Sequence, residues 1–472
     1  MYRLCDHPRG NRLVLDMELA HGRYAVCPSC GQRSPEDLES LRLEYPAVEP
    51  VNLVGVFSPL GNMRVLLTNI GWKPAIGLGG PVVSVAGIAE RLVARGHEVS
   101  VFTTDLGLEH LPEVPRDRPV PVDGVRVWYF RRFEPTRTLR RCVPYIGDSI
   151  GFGYAPMLRS TLEREVSSHD CVNTQSPFIY PALATAHSAI RRGIPLFYHQ
   201  RGNLLGTHLG RRAIKKRLFI ELFEKRVMCS ATTLIALNEA EQSAFSVWAP
   251  MTPCRVVPNG IELPAHHERS TVLSRVRITL GIPESASVIL FLGRIHPWKR
   301  VDVLLEAFLR VGLRHKEAIL VLAGEDEAGL AGRWRTRFEA AGLGCRVRFT
   351  GAVAGQSKAD LLARADLFCL PSQGEGFSMA ALEAMSFGTP VIVTPECNLP
   401  EVASLGLGRI SLGTPAAFED AICSMLHDPA GLNRAGTAAR KFAEQHSWDD
   451  VIEQLLDVYS EGIDRHRRAS RG

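Results

Sequence analysis

The sequence has few of the features that would point to several other classes of protein. Aromatic residues make up only 7% of its 472 residues, which does not indicate a binder of single-stranded nucleic acid, because such proteins stack bases on aromatic rings. No apolar run reaches the roughly 18 residues expected of a membrane-spanning helix. The excess of positive charge is small, with 55 Lys and Arg against 50 Asp and Glu. Any basic behaviour must therefore come from local patches.

The N-terminal stretch and the cysteines both favour a reduced, cytoplasmic protein. The first residues are interrupted by charges instead of forming an apolar signal core: Arg3, Asp6, Arg9, Arg12 and Asp16. The 11 cysteines are odd in number and scattered, mostly inside apolar stretches. This pattern is typical of free thiols rather than a disulfide framework.

Residues 1–62 differ from the rest of the chain because they show little periodicity. Cys27 and Cys30 form one Cys-x-x-Cys with Cys5 and His7 nearby, and zinc needs four such ligands. A single Cys-x-x-Cys would give an irregular zinc site, so no cofactor is expected there. We interpret 1–62 as a poorly ordered extension or a small cysteine-containing module.

From residue 63 onward, strand-like and helix-like segments alternate. The run RVLLTN leads through the glycine-rich turn GLGGP into the helix-period stretch VVSVAGIAERLVARG, and the strand EVSVFTTD follows. Such a βαβ unit has parallel strands, which need a helical crossover. Further strand-like runs follow, separated by helix-like segments: VRVWYF, CVNTQ, PLFYHQ and TTLIAL.

A second α/β series follows a linker. Periodicity stops in VVPNGIELPAHHERS, and SVILFLGRI then starts a new alternation of strands and helices. The sequence therefore predicts an α/β fold of two facing doubly wound, Rossmann-like domains, at 63–260 and 261–445. Residues 446–472 are predicted as a helix crossing back to the N-terminal domain, with a basic tail. Because such sheets bind ligands at the carboxyl ends of their strands, we expect one shared cleft.

The most informative segment is GEGFSMAALEAM at 374–385, which follows the strand-like run DLFCLPS. Its helix is expected to begin between Phe377 and Met379, so backbone N–H groups there could bind an anion. Glu375 and Glu383 are eight residues apart. On a helix that spacing leaves them about 80° apart, so they could grip hydroxyls at opposite ends of a long ligand. The alternative is two solvated carboxylates.

A cationic turn, GRIHPWKR, follows the strand-like run VILFL. Arg294 offers a two-pronged donor and Lys299 a point charge, a combination that suits a diphosphate. The alternative is a basic turn in solvent. The acidic run 325–327 lies at another strand end, but we interpret it as a solvated loop rather than a ligand set, and we predict no metal site.

The glycine-rich loop 77–81 opens the first helix, where glycine lets the backbone approach a ligand closely. A competing interpretation is a dinucleotide fingerprint, with Asp105 as the ribose-binding acid. The third glycine of that fingerprint is missing from the sequence, which weakens the match.

His199 and Arg201 follow the strand-like run PLFYHQ, so they are expected at the cleft. Arg201 is placed to act as a positive group near a leaving phosphate or an anionic acceptor. For His199 the alternative is a buried core histidine.

Two basic runs occur in the first α/β domain. Their members are Arg131, Arg132, Arg137, Arg140 and Arg141 in one, and Arg211, Arg212, Lys215, Lys216 and Arg217 in the other. One interpretation is a solvated face; the other is docking on an anionic membrane, where each basic residue adds about 1 kcal/mol. Neither basic run shows a pattern typical of the recognition of nucleic-acid bases, so no nucleic-acid partner is expected.

Several segments, in order along about 63–459, resemble the retaining family 4 glycosyltransferases of the GT-B fold. They are GLGGP, RGNLLG, ALNEAE, VPNGIE, LGRIHPWKR, EGFSMAALEAMSFGTPVIVT, LPEV and SWDDVIEQLLDVY. The block around Glu375 is the most specific of them. Many relatives have His where Arg201 and Gly202 stand, and Ser378 replaces a common Gly.

The resemblance implies roles for individual residues. Arg294 and Lys299 would neutralise the diphosphate of a nucleotide sugar, with Glu375 on the sugar hydroxyls and Glu383 on the ribose. Backbone groups of Gly376, Phe377 and Ser378 would complete the donor site. Gly80 would add a contact from the other domain. His199 or Arg201 would lie on the acceptor and leaving-group side, and family members usually need no divalent metal.

The predicted function is transfer of a sugar, with retained anomeric configuration, from a UDP- or GDP-linked donor to a glycan or lipid-linked acceptor. We expect this reaction to serve cell-surface polysaccharide biosynthesis, in the cytoplasm and peripherally at the inner face of the membrane. The alternatives are a nucleotide-sugar epimerase on the same fold and a non-catalytic, nucleotide-sugar-binding partner of a synthase. A dehydrogenase would leave the charged loops of the second domain unexplained.

Overall fold

The structure is a computed structural model whose chain divides into two compact units, Met1–Phe57 and Ser58–Gly472. It describes residues 2–5, 12–19, 22–26, 33–34, 61–75, 78–111, 113–133, 152–206, 213–264 and 269–470.

The first unit contains a four-stranded antiparallel sheet in the order β1-β2-β3-β4. Its strands are Tyr2–Cys5 (β1), Arg12–Leu19 (β2), Gly22–Val26 (β3) and Arg33–Ser34 (β4). Cys5 lies in β1, whereas His7, Cys27 and Cys30 of the zinc hypothesis lie outside the described residues.

The second unit begins with an eight-stranded sheet in the order β12-β11-β10-β9-β5-β6-β8-β7. The edge strand β7 runs antiparallel to its neighbour β8, and the other described strands of this sheet pair in parallel. The strands are Arg64–Thr68 (β5), Glu98–Thr104 (β6), Pro119–Val122 (β7), Val125–Phe130 (β8), Cys171–Gln175 (β9), Leu196–His199 (β10), Thr233–Ala236 (β11) and Cys254–Val256 (β12).

Helices connect these strands and cover the sheet. They are Gly80–Ala94 (α1), Pro156–Glu165 (α2), Tyr180–Arg192 (α3), Ala213–Phe219 (α4), Lys225–Ser230 (α5) and Glu239–Trp248 (α6). A π-helical turn, Ile220–Glu224, joins α4 to α5. Strands β9 and β10 are buried along their whole length, as expected for a parallel sheet covered on both faces.

A six-stranded parallel sheet follows in the order β15-β14-β13-β16-β17-β18. Its strands are Ser287–Leu292 (β13), Ala318–Ala323 (β14), Val347–Gly351 (β15), Leu367–Leu370 (β16), Val391–Val393 (β17) and Gly408–Ile410 (β18). The associated helices are Arg269–Leu280 (α7), Val301–Arg314 (α8), Leu330–Ala340 (α9), Gly355–Arg364 (α10), Met379–Ser386 (α11), Glu401–Ser404 (α12), Pro415–Leu426 (α13) and Pro429–Glu444 (α14).

Both large sheets are doubly wound, which confirms the predicted fold class. In each, the strand order reverses next to the first strand of the series, between β5 and β9 in one and between β13 and β16 in the other. Ligands of open α/β sheets bind outside the carboxyl ends of the strands at such a switch point. The loops after these strands are therefore where a site is to be sought.

The last helix, Trp448–Ala469 (α15), packs on the N-terminal sheet although it follows the C-terminal domain. Its Trp448, Leu455 and Tyr459 share a buried cluster with residues of β5, β6 and α1. Gly87 of α1 permits this contact, because a Cβ there would lie 2.2 Å from the Trp448 ring. Among the described helices, none combines the length and apolarity needed to span a bilayer.

The structure adds elements that the sequence patterns did not indicate. The edge strands β7, β12 and β18 are short and partly exposed, so they carry no clear hydrophobic pattern. Helix α7 starts inside the segment interpreted as linker, because its weak amphipathicity hides its period.

Candidate active site

The cationic turn lies directly against the loop that follows β16. A 3₁₀ turn spans Pro297–Lys299, and His296 Nδ1 accepts a hydrogen bond from the backbone N–H of Trp298 at 3.1 Å. The Trp298 indole N–H donates to the carbonyl oxygen of Gly374 at 2.9 Å, and its own carbonyl accepts from the N–H of Gln373 at 2.9 Å. The two predicted motifs are thus fastened together.

Lys299 and Glu375, which come from those two motifs, form an ion pair with 2.6 Å between Nζ and Oε1. Their side chains are 24% and 13% exposed. The backbone of Glu375 is held on both sides, since its N–H donates to the carbonyl of Glu396 at 2.9 Å and its carbonyl accepts from Asn398 Nδ2 at 2.7 Å. The loop therefore presents a fixed carboxylate beside a cation.

Arg294 leaves the end of β13 and pairs with the acidic run after β14. Its guanidinium lies 3.0 Å from a carboxylate oxygen of Glu327, and its side chain is 54% exposed. Asp326 accepts hydrogen bonds from the backbone N–H groups of Leu330 and Ala331 at 2.9 and 2.8 Å, where α9 begins. Two carboxylates of this partly exposed loop therefore also have structural partners, Asp326 at the start of α9 and Glu327 on Arg294.

Glu383 lies on α11, the helix predicted from the same segment as Glu375. The helix begins at Met379, and the buried Ser378 caps it by accepting from the N–H of Ala381 at 3.3 Å. The Glu383 carboxylate pairs with Lys358 Nζ of α10 at 2.7 Å. Each of the four predicted charges of this domain is therefore held by an opposite charge, but Arg294 and Glu383 use partners that the sequence patterns did not indicate.

Gly376 and Phe377 occupy the turn before the cap. The Phe377 ring packs against the C-terminal core and lies 6.0 Å from the ring of His446. Gly376 touches the other domain, because a Cβ built on it would lie 2.8 Å from the Cα of Gly202. Only glycine fits that approach.

His199 is a buried residue at the end of β10. Its Nε2 lies 3.3 Å from Asn173 Nδ2, and the side chain is 1% exposed. Burial, with a smaller effect of the Arg201 charge, lowers the pKa of His199 well below its usual value, so the ring is neutral near pH 7. This environment matches the core-histidine alternative.

Arg201 follows in a left-handed backbone conformation, with φ of 50°. Its Nε donates to Gln175 Oε1 at 2.8 Å and a terminal nitrogen donates to Asn259 Oδ1. The other terminal nitrogen is buried without a hydrogen-bond partner among the described residues. Burial lowers the pKa of Arg201 to about 10, so it still carries its charge at neutral pH.

Sequence reasoning assigned no role to Asn238 or Glu241, which lie behind this turn. Asn238 caps α6 by accepting from the N–H of Glu241 at 2.9 Å, and its Nδ2 donates to the carbonyl of Gly376 at 2.7 Å. Glu241 is fully buried, which raises the pKa of its carboxyl to about 7. The Asn-x-x-Glu spacing is a capping-box pattern and was the available signal.

Gly80 is the first residue of α1 and follows Gly79, whose φ is 106°. The first turn of α1 has no acidic residue, and the space where a Cβ of Gly80 would lie is open to at least 4 Å among the described atoms. Gly77 of the same loop lies outside the described residues. The end of α1 can therefore approach a ligand closely.

The structure corrects two expectations about charge in the N-terminal domain. Arg132, assigned to a surface run, is 7% exposed and pairs with Asp105 at 3.0 Å and with Glu109 at 2.6 Å. Asp105 is therefore engaged in an ion pair rather than presented as a ribose-binding acid. Arg137, Arg140, Arg141, Arg211 and Arg212 lie outside the described residues.

The described residues hold no group of three or more His, Cys, Asp or Glu side chains placed for a metal ion. The seven cysteines whose side chains are described are free thiols, and four of them are buried: Cys171, Cys369, Cys397 and Cys423.

Comparison with known families gives two matches. The profile described as "Glycosyl transferase 4-like domain" matches residues 79–260, and the one described as "Glycosyl transferases group 1" matches residues 275–442. Among curated proteins, the chain is 28% identical over 444 residues to a D-inositol 3-phosphate glycosyltransferase of a Nocardioides species, covering 88% of this chain and 90% of that one. The enzyme of the same name from Streptomyces coelicolor is 34% identical over 272 residues, covering 52% and 59%.

Solved structures share the fold. HepE from Anabaena, in complex with UDP and glucose, superposes with a TM-score of 0.64 at 20% identity, covering 85% of this chain and all of that one. WaaG, a glycosyltransferase involved in lipopolysaccharide biosynthesis, superposes with a TM-score of 0.59 at 19% identity, covering 84% and 99%.

The two profiles follow each other along the two doubly wound domains, and both describe glycosyl transfer. They do not favour the epimerase, dehydrogenase or non-catalytic alternatives. The chain belongs to the family 4 glycosyltransferases of the GT-B fold, enzymes that use nucleotide sugars.

Proposed function

We propose that this glycosyltransferase moves a sugar from a UDP- or GDP-linked donor to a glycan or lipid-linked acceptor, with retained configuration and without a divalent metal. The observation that carries the proposal is the contact between Lys299 and Glu375 at the carboxyl ends of β13 and β16. It joins a cation suited to a diphosphate and an acceptor of sugar hydroxyl hydrogen bonds in one site. The UDP and glucose bound by HepE support a UDP-linked donor.

In this proposal the C-terminal domain holds the donor. Arg294 and Lys299 neutralise the diphosphate, Glu375 binds hydroxyls of the sugar, and Glu383 binds those of the ribose. Backbone N–H groups before α11 add donors for the phosphate or the sugar, from Gly376, Phe377 and Ser378. Gly80 at the start of α1 approaches from the N-terminal domain.

The reaction needs no protein nucleophile. The bond between the anomeric carbon and the phosphate oxygen breaks, and the negative charge that builds on the leaving diphosphate is stabilised by the two cations and the helix N-terminus. The acceptor hydroxyl attacks from the same face, forms the new C–O bond, and passes its proton to the departing phosphate. Nucleoside diphosphate and the glycosylated acceptor are the products.

On the N-terminal side, Arg201 is the group proposed to face the leaving phosphate or an anionic acceptor. Its charge persists at neutral pH and one of its nitrogens lacks a partner among the described residues, so it can still donate to an anion. His199 is neutral and buried with its Nε2 3.3 Å from Asn173 Nδ2, so we assign it a structural role on this side of the cleft.

A donor panel tests the proposal. UDP-, GDP-, ADP- and dTDP-linked sugars are added to the protein with and without a chelator, and the thermal midpoint is recorded, since a bound ligand raises stability by mass action. We expect one nucleotide class to raise the midpoint in both conditions, and the product formed from it to keep the anomeric configuration of the donor. A shift only with added metal, or an inverted product, would contradict the proposal.

We further propose that the enzyme works at the inner face of the cell membrane, docked on anionic lipid through the helix formed by α4, the π-helical turn and α5. Its exposed apolar side chains Ile214, Leu218 and Leu222 are 84%, 58% and 60% exposed. They recur every four residues, so they share one face. Lys215 and Arg217 are exposed beside them, and this mixture suits an anionic interface.

Hydrogen bonds of Glu224 anchor this helix to the N-terminal domain. Glu224 is buried, and its carboxylate accepts hydrogen bonds from the N–H of Phe178 at 2.9 Å and from the Tyr198 hydroxyl at 2.7 Å. Its apolar face is therefore held outward next to the loops that follow β9 and β10. In this proposal a membrane-bound acceptor reaches the cleft from that side, and the enzyme acts in cell-surface polysaccharide biosynthesis.

A vesicle assay tests the docking. Replacing Ile214, Leu218 and Leu222 together by Gln should abolish co-sedimentation with vesicles rich in phosphatidylglycerol, while donor binding stays unchanged. The matched control replaces Ile278 and Leu313, which are 78% and 65% exposed on the C-terminal domain, and should sediment like the wild type. Equal loss in both variants, or no binding by the wild type, would refute the docking surface.

A further inference from the structure

One asparagine serves both domains at once. The Asn238 side-chain oxygen caps α6 by accepting from the N–H of Glu241 at 2.9 Å. Its side-chain nitrogen donates to the carbonyl of Gly376, in the turn between Glu375 and α11, at 2.7 Å. The cap of a helix in the N-terminal domain therefore also holds the loop of the C-terminal domain that carries Glu375.

The second member of this capping box has an unusual partner. In the common form, the glutamate three residues after the cap accepts from the N–H of the cap residue itself. Here Glu241 accepts from the N–H of Leu237 at 2.8 Å and from the N–H of Gly202. Because its carboxylate is fully buried, these two bonds are needed to offset the loss of water around it.

The turn that Glu241 holds is the one that meets the donor loop. A Cβ on Gly202 would lie 2.6 Å from the Cα of Gly376, and a Cβ on Gly376 would lie 2.8 Å from the Cα of Gly202. Real Cβ atoms do not come so close to backbone. The two turns are in van der Waals contact, and the hydrogen bond from Asn238 to the Gly376 carbonyl lies next to this contact.

We propose that Asn238 and Glu241 are positioning residues for sugar transfer: together they form a latch that fixes the Gly376 turn against the Gly202 turn when the two domains close. The latch sets the position of Glu375, next to Gly376, relative to Arg201, next to Gly202. Neither latch residue touches the reacting atoms. This inference rests on the proposed function, since it assigns the latch to that reaction.

The two roles of Asn238 can be separated by substitution. Asn238→Asp keeps an oxygen that caps α6, and its negative charge suits a helix N-terminus. It replaces the donor to Gly376 by an oxygen that repels the carbonyl. Asn238→Ala removes both the cap and the latch. The matched control is Thr414→Ala, which removes the cap of α13 (Thr414 Oγ1 to the N–H of Ala417, 3.3 Å), a bond made within the C-terminal domain.

The test measures kcat, the donor KM, the UDP Kd by calorimetry, the thermal midpoint and the radius of gyration of each variant. Asn238→Asp should lower kcat about tenfold or more while the UDP Kd stays within about twofold, because the charged groups proposed to bind the nucleotide, Arg294, Lys299 and Glu383, all lie in the C-terminal domain. Its thermal midpoint should stay at the wild-type value and its radius of gyration should rise. Thr414→Ala should lower the thermal midpoint and leave kcat unchanged.

A second pair of variants tests the contact itself. Gly202→Ala and Gly193→Ala both place a side chain at positive φ, 79° and 65°, but only Gly202 has a neighbour within 4 Å. Both should lose similar thermal stability from backbone strain. Only Gly202→Ala should lose turnover, with an expanded radius of gyration.

Three outcomes overturn the latch. They are wild-type kcat in Asn238→Asp, an unchanged radius of gyration in that variant, and a UDP Kd weakened as much as kcat is lowered, which would place Asn238 in the donor site. Failure of the proposed function looks different. If the wild type transfers no sugar, the radius of gyration still decides, because an expanded Asn238→Asp supports the latch and an unchanged one refutes it.

Discussion

The two sides of the cleft treat their charges in opposite ways. On the C-terminal side, the functional charges are partly exposed and each is paired with an opposite charge of its own domain: Arg294 with Glu327, Lys299 with Glu375, and Lys358 with Glu383. On the N-terminal side, the polar groups are buried and held by hydrogen bonds.

This difference teaches how each side would respond to a ligand. Exposed ion pairs such as that of Arg294 with Glu327 are worth about 0–1 kcal/mol, so a bound diphosphate can replace the carboxylate partner at small cost. Buried polar groups lose far more when a partner is removed, about 1–3 kcal/mol each. The C-terminal side can therefore exchange partners during a catalytic cycle, whereas the N-terminal side is a fixed support.

The largest effect is expected from removing a cation of the C-terminal side. Arg294→Ala or Lys299→Ala should lower kcat about 100-fold or more, because the charge on the leaving diphosphate loses its stabilisation. The thermal midpoint should change little, since both ion pairs are partly exposed. Steady-state transfer assays with the preferred donor measure the effect.

Arg310→Ala is the control for Arg294→Ala. Arg310 lies in the same domain, is 53% exposed against 54%, and also pairs with a carboxylate, that of Glu419. It should turn over like the wild type. Near-normal turnover of Arg294→Ala would end its assignment to the diphosphate.

The next effect concerns the fixed side and depends on pH. The pKa of Glu241 is raised to about 7 by burial, against a usual value near 4.5. The folded state therefore binds the proton more tightly than the unfolded state. The resulting stability is present below pH 4.5 and is lost as pH rises through 7, a change of about 3 kcal/mol from this group.

Glu241→Gln does not titrate, so its stability relative to the wild type should rise between pH 5 and pH 8. The measurement is the difference in thermal midpoint between the two proteins at each pH, which cancels the titration of other groups. Arg201, whose charge acts on Glu241, stays charged over this range. Parallel profiles would show that Glu241 ionises normally.

The same contrast explains what could be predicted from the sequence. Lys299 and Glu375 were expected at the same edge of the sheet because each lies in the loop that follows a parallel strand, and the structure pairs them there. Arg132 was misplaced in a surface run because its partner Asp105 lies 27 residues earlier, and a pattern along the chain does not show such pairs. Because Asp105 is engaged in this ion pair, the structure does not support it as the ribose-binding acid of a dinucleotide site.

Arg201 is a second residue whose environment could not be predicted from patterns along the chain. Its position after β10 was predicted, but its burial was not, because the partners that hold it lie 26 and 58 residues away, at Gln175 and Asn259. Local spacing would have revealed only the Asn238 cap. The hydrogen-bond partners of a buried side chain depend on the tertiary arrangement. Patterns along the sequence indicate only helices, strands and where they end.

The smallest expected effect concerns Glu327, on the C-terminal side of the cleft. It distinguishes a carboxylate that competes with the diphosphate for Arg294 from one that orients the Arg294 guanidinium. If Glu327 only occupies Arg294 until the diphosphate arrives, Glu327→Gln should lower the donor KM by up to about fivefold, the equivalent of about 1 kcal/mol, with kcat unchanged. Glu306→Gln is the control, because Glu306 pairs with Arg337 at 2.6 Å and the exposures, 30% and 50%, match the 31% and 54% of Glu327 and Arg294. A raised KM in Glu327→Gln alone would mean that the carboxylate aims the guanidinium at the phosphate. The C-terminal side would then be pre-organised like its neighbour across the cleft.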